Sequence, residues 1–333
     1  MKKNPFFGYV LLVLVFLSCA GHSVFPPLSS IDPSVNQAIA QVKQNSPEIK
    51  KYFVLDENKD IIVKADIAGI QQASGKIVHL EVVYDLMHAA ADGAGGFLVP
   101  FTVKNPETGE AAQEELFWKP QKDAAGILLS FDDDHSNVWE RNFDLFDHYN
   151  ARVTFFVLGE YSPFSLAAME RGHDVGYHSL HHLNLLKISR KIFHKETVSR
   201  INTFRNAGIP LAAFAYPYGL SESWMHRELL KYFKIVRGYG VTFRVYDNAH
   251  IRNSYISSRA LDTILFKRDE DFKAVIDVML RTVKFIGGDL ILPLTTHDIS
   301  DTALWGIKPQ RLQYLLQSVN DLQLKFYLYR DFE

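Results

Sequence analysis

The sequence predicts an α/β fold preceded by a smaller β-rich region, and three observations carry that prediction. From Gly126 to the C-terminus, short apolar runs alternate with helical periodicity, as in repeated β/α units with a parallel sheet and helices outside. Between Tyr52 and Pro120 there are only strand-like runs, separated by turn residues. The stretch Gly126-Ile-Leu-Leu-Ser-Phe-Asp-Asp-Asp134 opens with a run too short for a helix and ends on three carboxylates, at the strand end where α/β folds collect ligands. A turn with Asp133 or Asp134 capping the next helix is the alternative. The repeated units leave a closed barrel and a doubly wound sheet both open.

At 333 residues and 47% hydrophobic content, the chain can bury a full core and has room for one large domain plus a small one. A formal net charge of −2, with no dense Lys/Arg run and no zinc-finger spacing, excludes a nucleic-acid partner.

The N-terminus reads as an export signal. Lys2 and Lys3 precede an apolar run from Phe6 to Leu17, too short to span a bilayer comfortably. Cys19 is the only cysteine, so it has no internal disulfide partner, and its position resembles a bacterial lipobox, although leucine is more usual where Phe16 stands. The expectation is a signal peptide over 1–19 and an exported chain held in a bacterial cell envelope through a lipidated Cys19; an uncleaved anchor is the alternative. No other apolar segment is long enough to cross a membrane.

Gly21 to Ser30 is a Pro/Ser-rich tether. Asp32-Pro33 then reads as an N-cap with proline at the first helical position, followed by Val35, Ile39 and Val42 on one face. Strands are expected at Ile61–Lys64, Lys76–Tyr84, Phe97–Val103 and Glu115–Trp118, divided by Ser74-Gly75, Asp92-Gly93 and Pro106-Glu-Thr-Gly109. His79 and His88 lie in this region as ordinary strand and loop residues. Beyond the strand at Gly126 come a helix carrying Trp139, Phe143 and Phe146, a strand Arg152–Val157, a helix near Phe164–Arg171 and a strand Asp174–Tyr177. A helix from about Ser189 to Asn206, a strand Ala212–Tyr216, a helix around Trp224–Phe233 and a strand Lys234–Arg237 follow. After a less regular segment come a helix Asp269–Phe285, a strand Asp289–Leu294, a helix Pro309–Asn320 and a last strand Lys325–Tyr329. The expected division is therefore 1–19 signal, 20–50 tether and short helix, 51–121 β-rich accessory domain, and 122–333 main domain.

The chemistry concentrates in His178-Ser-Leu-His-His182, directly after the strand ending at Tyr177. Histidines at i and i+4 would project from one face of a helical turn and reach a single metal, with His181 pointing elsewhere. Two imidazoles and one carboxylate make a three-ligand site with a position open for water.

Four stretches in order, Ser130-Phe-Asp-Asp, Gly172-His-Asp-Val-Gly-Tyr-His178-Ser-Leu-His-His182, Phe214-Ala-Tyr-Pro-Tyr-Gly219 and Leu294-Thr-Thr-His297, resemble the motifs of the polysaccharide deacetylase family. This is the NodB homology domain, or carbohydrate esterase family four, and the resemblance covers about Gly126 to the C-terminus. It implies a distorted (β/α)7 barrel, to which the strand pattern before Pro120 adds a small N-terminal β-rich accessory domain outside the resemblance. It implies that Asp133, His178 and His182 hold a divalent metal, commonly zinc, and that Asp132 is the general base. By the same resemblance the backbone N–H of Tyr218 helps hold an oxyanion, His297 is the acid that protonates the departing amine, and Leu294 walls an acetyl-methyl pocket. His173 resembles a structural histidine of the family.

Two departures stand out. Many members carry an arginine that orients the base where Ala215 stands here, a form that resembles exported enzymes deacetylating poly-N-acetylglucosamine. The fourth motif, whose aspartate supports the acid, does not align, with Asp247 and Asp262 both open; the role of Asp134 is open too. Arg152, Trp224, Tyr239 and Arg244 are options for a sugar groove, with surface or core roles as the alternative. The expected activity is metal-dependent hydrolysis of the acetamide of N-acetylated glycan sugars. A non-catalytic glycan-binding lipoprotein, supported by Ala215, and a deacylase of a non-glycan amide or ester are the competing readings.

Overall fold

The computed structural model describes residues 32–46, 48–71 and 75–332. The expected signal peptide, Cys19 and the tether lie outside the described residues. No helix among the described residues is long and apolar enough to cross a membrane.

The first helix, α1 (Pro33–Lys43), begins as its sequence requires, with the Asp32 carboxylate accepting the Ser34 N–H at 2.8 Å and Val35, Ala38, Ile39 and Val42 buried. An antiparallel sheet follows, made of β1 (Lys51–Leu55), β2 (Ile61–Gln71), β3 (Ile77–Tyr84), β4 (Ala90–Ala91), β5 (Phe97–Lys104) and β6 (Ala111–Trp118). Its order is β1-β2-β3-β5, with β4 and β6 also paired to β5. Alternation puts Val78, Leu80, Val82 and Tyr84 on the buried face and leaves Ile77 and His79 exposed.

The barrel strands are β7 (Gly126–Asp133), β8 (Thr154–Val157), β9 (Asp174–Tyr177), β10 (Ala213–Ala215), β11 (Ile235–Gly240), β12 (Ser254–Ala260) and β13 (Ile291–Thr296). They pair in chain order, all parallel, and β13 returns to β7 through Ile291↔Gly126 to Thr296↔Phe131, closing seven strands. Between them run α2 (Ser136–Arg141), α3 (Phe143–His148), α4 (Pro163–Glu170), α5 (Arg190–Val198), α6 (Ile201–Asn206), α7 (Ser223–Leu229), α8 (Asn248–Ile251) and α9 (Asp269–Ile286). After β13 come the short strands β14 (Asp298–Ile299) and β15 (Gly306–Ile307), then α10 (Pro309–Asp321) and β16 (Lys325–Phe326). This is the mixed α/β fold with a seven-stranded barrel that the sequence predicts.

The barrel is uneven. β8 starts opposite Ser130, so the first two residues of β7 pair instead with β16, through Lys325↔Gly126 and Phe326↔Ile127. Residues alternate between two apolar layers: Ile127, Leu129 and Phe131 face the helices, whereas Leu128 packs inside with Phe156, Ala215, Ile256 and Tyr329. The sheet and barrel are joined by α9, whose Phe285 makes edge contacts with Tyr84 at 4.8 Å and Trp118 at 5.1 Å.

Several elements differ from expectation for local reasons. The helix carrying Trp139 and Phe143 breaks into α2 and α3 at Asn142, whose amide donates to the Val138 carbonyl at 2.8 Å. The long helix from Ser189 breaks between α5 and α6, where the Ser199 hydroxyl bonds back to the Lys195 carbonyl at 2.6 Å. The segment with no regular pattern contains α8 and β12; the serines of β12 disguise a strand whose Ser258 is fully buried. The last strand stops at Phe326, and the chain turns so that Tyr329 and Phe332 join the interior layer.

Candidate metal centre and proton-transfer groups

The centre lies at the C-terminal ends of the barrel strands. Alternation along β7 directs Leu128, Ser130 and Asp132 to the same side. By that rule Asp133 would face the helices, but it adopts φ 81°, a left-handed conformation that a non-glycine residue accepts only when its surroundings enforce it. The turn brings its carboxylate to the rim.

His178 follows β9 and is buried, with Nδ1 donating to the carbonyl of Ala215 at 2.9 Å. A carbonyl only accepts, so that bond places the proton on Nδ1 and leaves Nε2 as a bare lone pair. Nε2 of His178 lies 3.2 Å from Asp133 Oδ1, and Nε2 of His182 lies 3.1 Å from the same oxygen. Burial pushes the Asp133 carboxyl upward, and only positive charge at the two imidazoles, or between them and the carboxylate, holds the group well below the usual carboxylate range. Asp133 Oδ1 makes no hydrogen bond although it is buried.

Acceptors facing one another at such distances need a cation between them. Two ligands, each about 2.0–2.1 Å from a tetrahedral zinc, lie about 3.3–3.4 Å apart, close to the observed spacings. The Asp133, His178 and His182 ligand atoms all lie within 4.8 Å of one another, and among the described residues they form the one such group. The donor set fits a divalent cation.

The histidines converge by a route different from the expected helical turn. Residues 178–184 form an irregular loop, with Ser179 at φ 76° and His182 at φ 54°. The His182 N–H donates to Ser179 Oγ at 3.0 Å. Glu196 of α5 ties the loop down: its carboxylate accepts the His181 N–H at 2.9 Å and contacts His181 Nδ1 at 2.8 Å, and its own carbonyl accepts the Leu180 N–H. His181 therefore points away from the centre, as the spacing predicts.

Asp132 is fully buried, and the Arg237 guanidinium of β11 donates to its Oδ1, while its Oδ2 has no hydrogen-bond partner. Arg237, which sequence reasoning missed, is fully buried as well and lies over the Phe156 ring at 4.8 Å. In the parallel register Arg237 is the partner of Ala215. The guanidinium absent from β10 is thus supplied by the adjacent strand. An arginine directly after Ile235-Val236 in a short strand-like run was the available signal.

His297 follows β13. Its Nδ1 meets Asp262 Oδ1 at 2.9 Å, and that oxygen also accepts the Thr296 hydroxyl. Burial lowers the His297 pKa, but the Asp262 hydrogen bond and the charges of Asp132, Asp262 and Asp133 raise it to about 9. Trp139 Nε1 donates to the His297 carbonyl at 2.9 Å and fixes its backbone. Asp262, fully buried, is therefore the carboxylate beside His297, whereas Asp247 caps α8 and bonds the exposed His250.

Tyr218 stands over His182, with ring centroids 4.5 Å apart and φ 60°. Gly219 permits this turn: its φ is 67°, and a Cβ there would approach Tyr239 backbone atoms to 3.0 Å. The Tyr239 ring in turn lies edge-on to His297 at 5.8 Å.

Other placements separate from the centre. Leu294 packs in the helix-side layer, because two residues rather than one separate it from His297 and alternation turns it outward; it cannot wall a pocket inside the barrel. Asp134 is exposed and accepts the Ser136 hydroxyl at 3.3 Å, a local turn contact. His173 is buried among Phe143, Phe146 and Phe155, and burial pushes its pKa down to about 4, a neutral core histidine. Arg152 pairs with Asp331, and Trp224 packs on Phe193.

Residues 119–234 match the family model described as polysaccharide deacetylase, a span containing Asp132, Asp133, His178, His182 and Tyr218 but not His297. No curated protein matches the chain. Among solved structures, a peptidoglycan deacetylase from Bacillus subtilis is 19% identical, with a TM-score of 0.43, covering 64% of this chain and 91% of that one. A family 4 carbohydrate esterase from Streptomyces lividans is 18% identical, with a TM-score of 0.43 and coverage of 61% and 91%. A chitin deacetylase from the fungal pathogen Colletotrichum lindemuthianum is 15% identical, with a TM-score of 0.47 and coverage of 64% and 89%.

Proposed function

We propose that this chain is a metal-dependent N-deacetylase of N-acetylated glycans, exported to a bacterial cell envelope and anchored there through Cys19. The observation that carries the reading is the convergence, at one end of a parallel barrel, of a three-ligand cation site with two differently supported proton-transfer groups. The family match over 119–234 supports the substrate class. Export and lipidation rest on the N-terminal sequence alone.

Asp133, His178 and His182 would hold the cation, with zinc the natural choice for one oxygen and two imidazole ligands. Such a cation supplies a Lewis acid that polarises an acyl carbonyl and acidifies water. Asp132 is held rigidly through Oδ1 by Arg237, which leaves Oδ2 to take a proton from the attacking water. His297, with Nδ1 committed to Asp262, holds its transferable proton on Nε2 and gives it to the departing amine. Tyr218 offers its backbone N–H to the oxygen of the tetrahedral intermediate. One water and one acetamide become one amine and one acetate. Poly-N-acetylglucosamine, suggested by the Ala-Tyr-Pro-Tyr-Gly form of the third motif, is the first polymer to test.

Ala215 no longer favours an inert glycan-binding barrel, because Arg237 occupies the position from which the base is oriented. The test is acetate release from N-acetylglucosamine oligomers with and without a chelator, alongside Asp132→Asn. Turnover should stop in both cases while the variant still binds zinc; an Asp132→Asn protein with wild-type acetate release would sink the base assignment.

A further inference from the structure

The stretch from Leu183 to Lys195 runs on from His182 through a short turn into α5, and none of its side chains enters the centre. It carries Lys187, Arg190, Lys191 and Lys195, all exposed, and no acidic residue. The acids around it are committed elsewhere. Glu196 is buried and holds His181, Glu228 contacts His194 and Lys231, and Glu160 pairs with Arg200. Arg190 lies over the Trp224 ring at 4.8 Å, whereas Lys187, Lys191 and Lys195 make no ion pair among the described residues. Interspersed with these cations, Leu183, Leu186 and Ile192 are 37%, 41% and 43% exposed.

The fold has no need of this arrangement. The buried face of α5 is Phe193, Glu196 and Thr197, so Lys191 and Lys195, one turn apart, project on the opposite side. Like charges at that spacing repel, and Arg190 and Lys191 sit at the positive end of the helix dipole. Both features cost stability locally, and no acid on the exposed face of α5 offsets them. Unpaired cations mixed with exposed apolar side chains suit a surface that is anionic and apolar together, which is the headgroup boundary of an anionic bilayer. A soluble phosphate-bearing ligand would satisfy the lysines but leave the three apolar side chains in water. The exposed cross-strand pair Leu98 and Phe117 on the accessory sheet makes the contrast, because it shares its face with the exposed Glu115, which an anionic bilayer repels.

We propose that Leu183 to Lys195 is a docking surface for anionic lipid headgroups, which brings the end of the barrel that carries His182 to the bilayer. This depends neither on lipidation of Cys19 nor on the deacetylase reading. The test uses the full chain carrying Cys19→Ser, so that no acyl chain contributes, sedimented with phosphatidylglycerol or phosphatidylcholine vesicles at about 0.1 M salt. The N-terminal apolar run and its two lysines are common to every variant and cancel in the comparison. The parent chain should favour phosphatidylglycerol. Lys187→Gln, Lys191→Gln and Lys195→Gln together should lower that partition about a hundredfold, at about fivefold for each lysine. The chain with arginine at the same three positions should retain it, which separates loss of charge from damage to the fold. Leu186→Ser with Ile192→Ser should weaken the binding that survives high salt. Equal partition by the parent and the glutamine chain, or no preference for phosphatidylglycerol over phosphatidylcholine, would overturn the proposal. So would release from the vesicles by inorganic phosphate at constant ionic strength, which would assign the lysines to a soluble phosphate-bearing ligand.

Discussion

Replacing Arg237 with methionine tests the most unexpected contact in the centre. Asp132 and Arg237 are both fully buried, and the guanidinium is the carboxylate's hydrogen-bond donor. Two unit charges about 4 Å apart attract by about 4 kcal/mol at an effective dielectric of 20, and breaking a buried pair typically costs about 3–5 kcal/mol because the survivor is left uncompensated. Arg237→Met should therefore lower stability by about 3 kcal/mol or more, seen as a fall of roughly 6 °C in the melting temperature. It should also lower kcat about a hundredfold, because Asp132, the proposed base, loses its fixed orientation. The decisive variant moves the guanidinium back one strand. Ala215 and Arg237 are register partners, so Ala215→Arg combined with Arg237→Ala restores a cation beside Asp132 in space vacated by the original side chain. The combined variant should exceed Arg237→Ala in both melting temperature and kcat. Wild-type stability and kcat in Arg237→Met, or a combined variant no better than Arg237→Ala alone, would refute the relocation.

Three other outcomes follow from the same geometry. In the proposed role of acid His297 must be protonated, that is below its raised pKa of about 9, so kcat/KM should fall as pH rises through that region; Asp262→Asn should move the fall to lower pH, measured by the pH dependence of acetate release. Glu196→Ala should release the loop carrying His182 and weaken zinc binding about 10–100-fold in a chelator competition, with Asp132 and His297 untouched. Gly176→Ala places a Cβ 2.4 Å from the Phe156 ring on which Arg237 rests, so about 1–3 kcal/mol of stability should be lost in urea denaturation, with a fall in kcat.

Much of this centre is legible in the amino-acid sequence. The carboxylates at the end of β7, the two histidines after β9 and His297 after β13 all follow apolar runs that only strands explain, and parallel strands bring their C-terminal ends together. Less is legible where polar residues sit inside the barrel. β12 escapes detection because Ser254, Ser257 and Ser258 interrupt its apolar pattern, although only Ser258 among them is buried.

The sequence by itself determined the β/α alternation and the strand ends at which the candidate site lies; the separate roles proposed for Asp132 and Asp133 come from the resemblance. Only the tertiary structure decided which groups support them. Arg237 in place of a residue at 215, Asp262 rather than Asp247 beside His297, and Leu294 turned to the helices are all consequences of strand register. Register is set by barrel closure across the whole chain, and spacing along the chain carries no record of it. The positive φ values of Asp133 and His182 have the same origin: local preference opposes them, and the packed ends of neighbouring strands hold them in place.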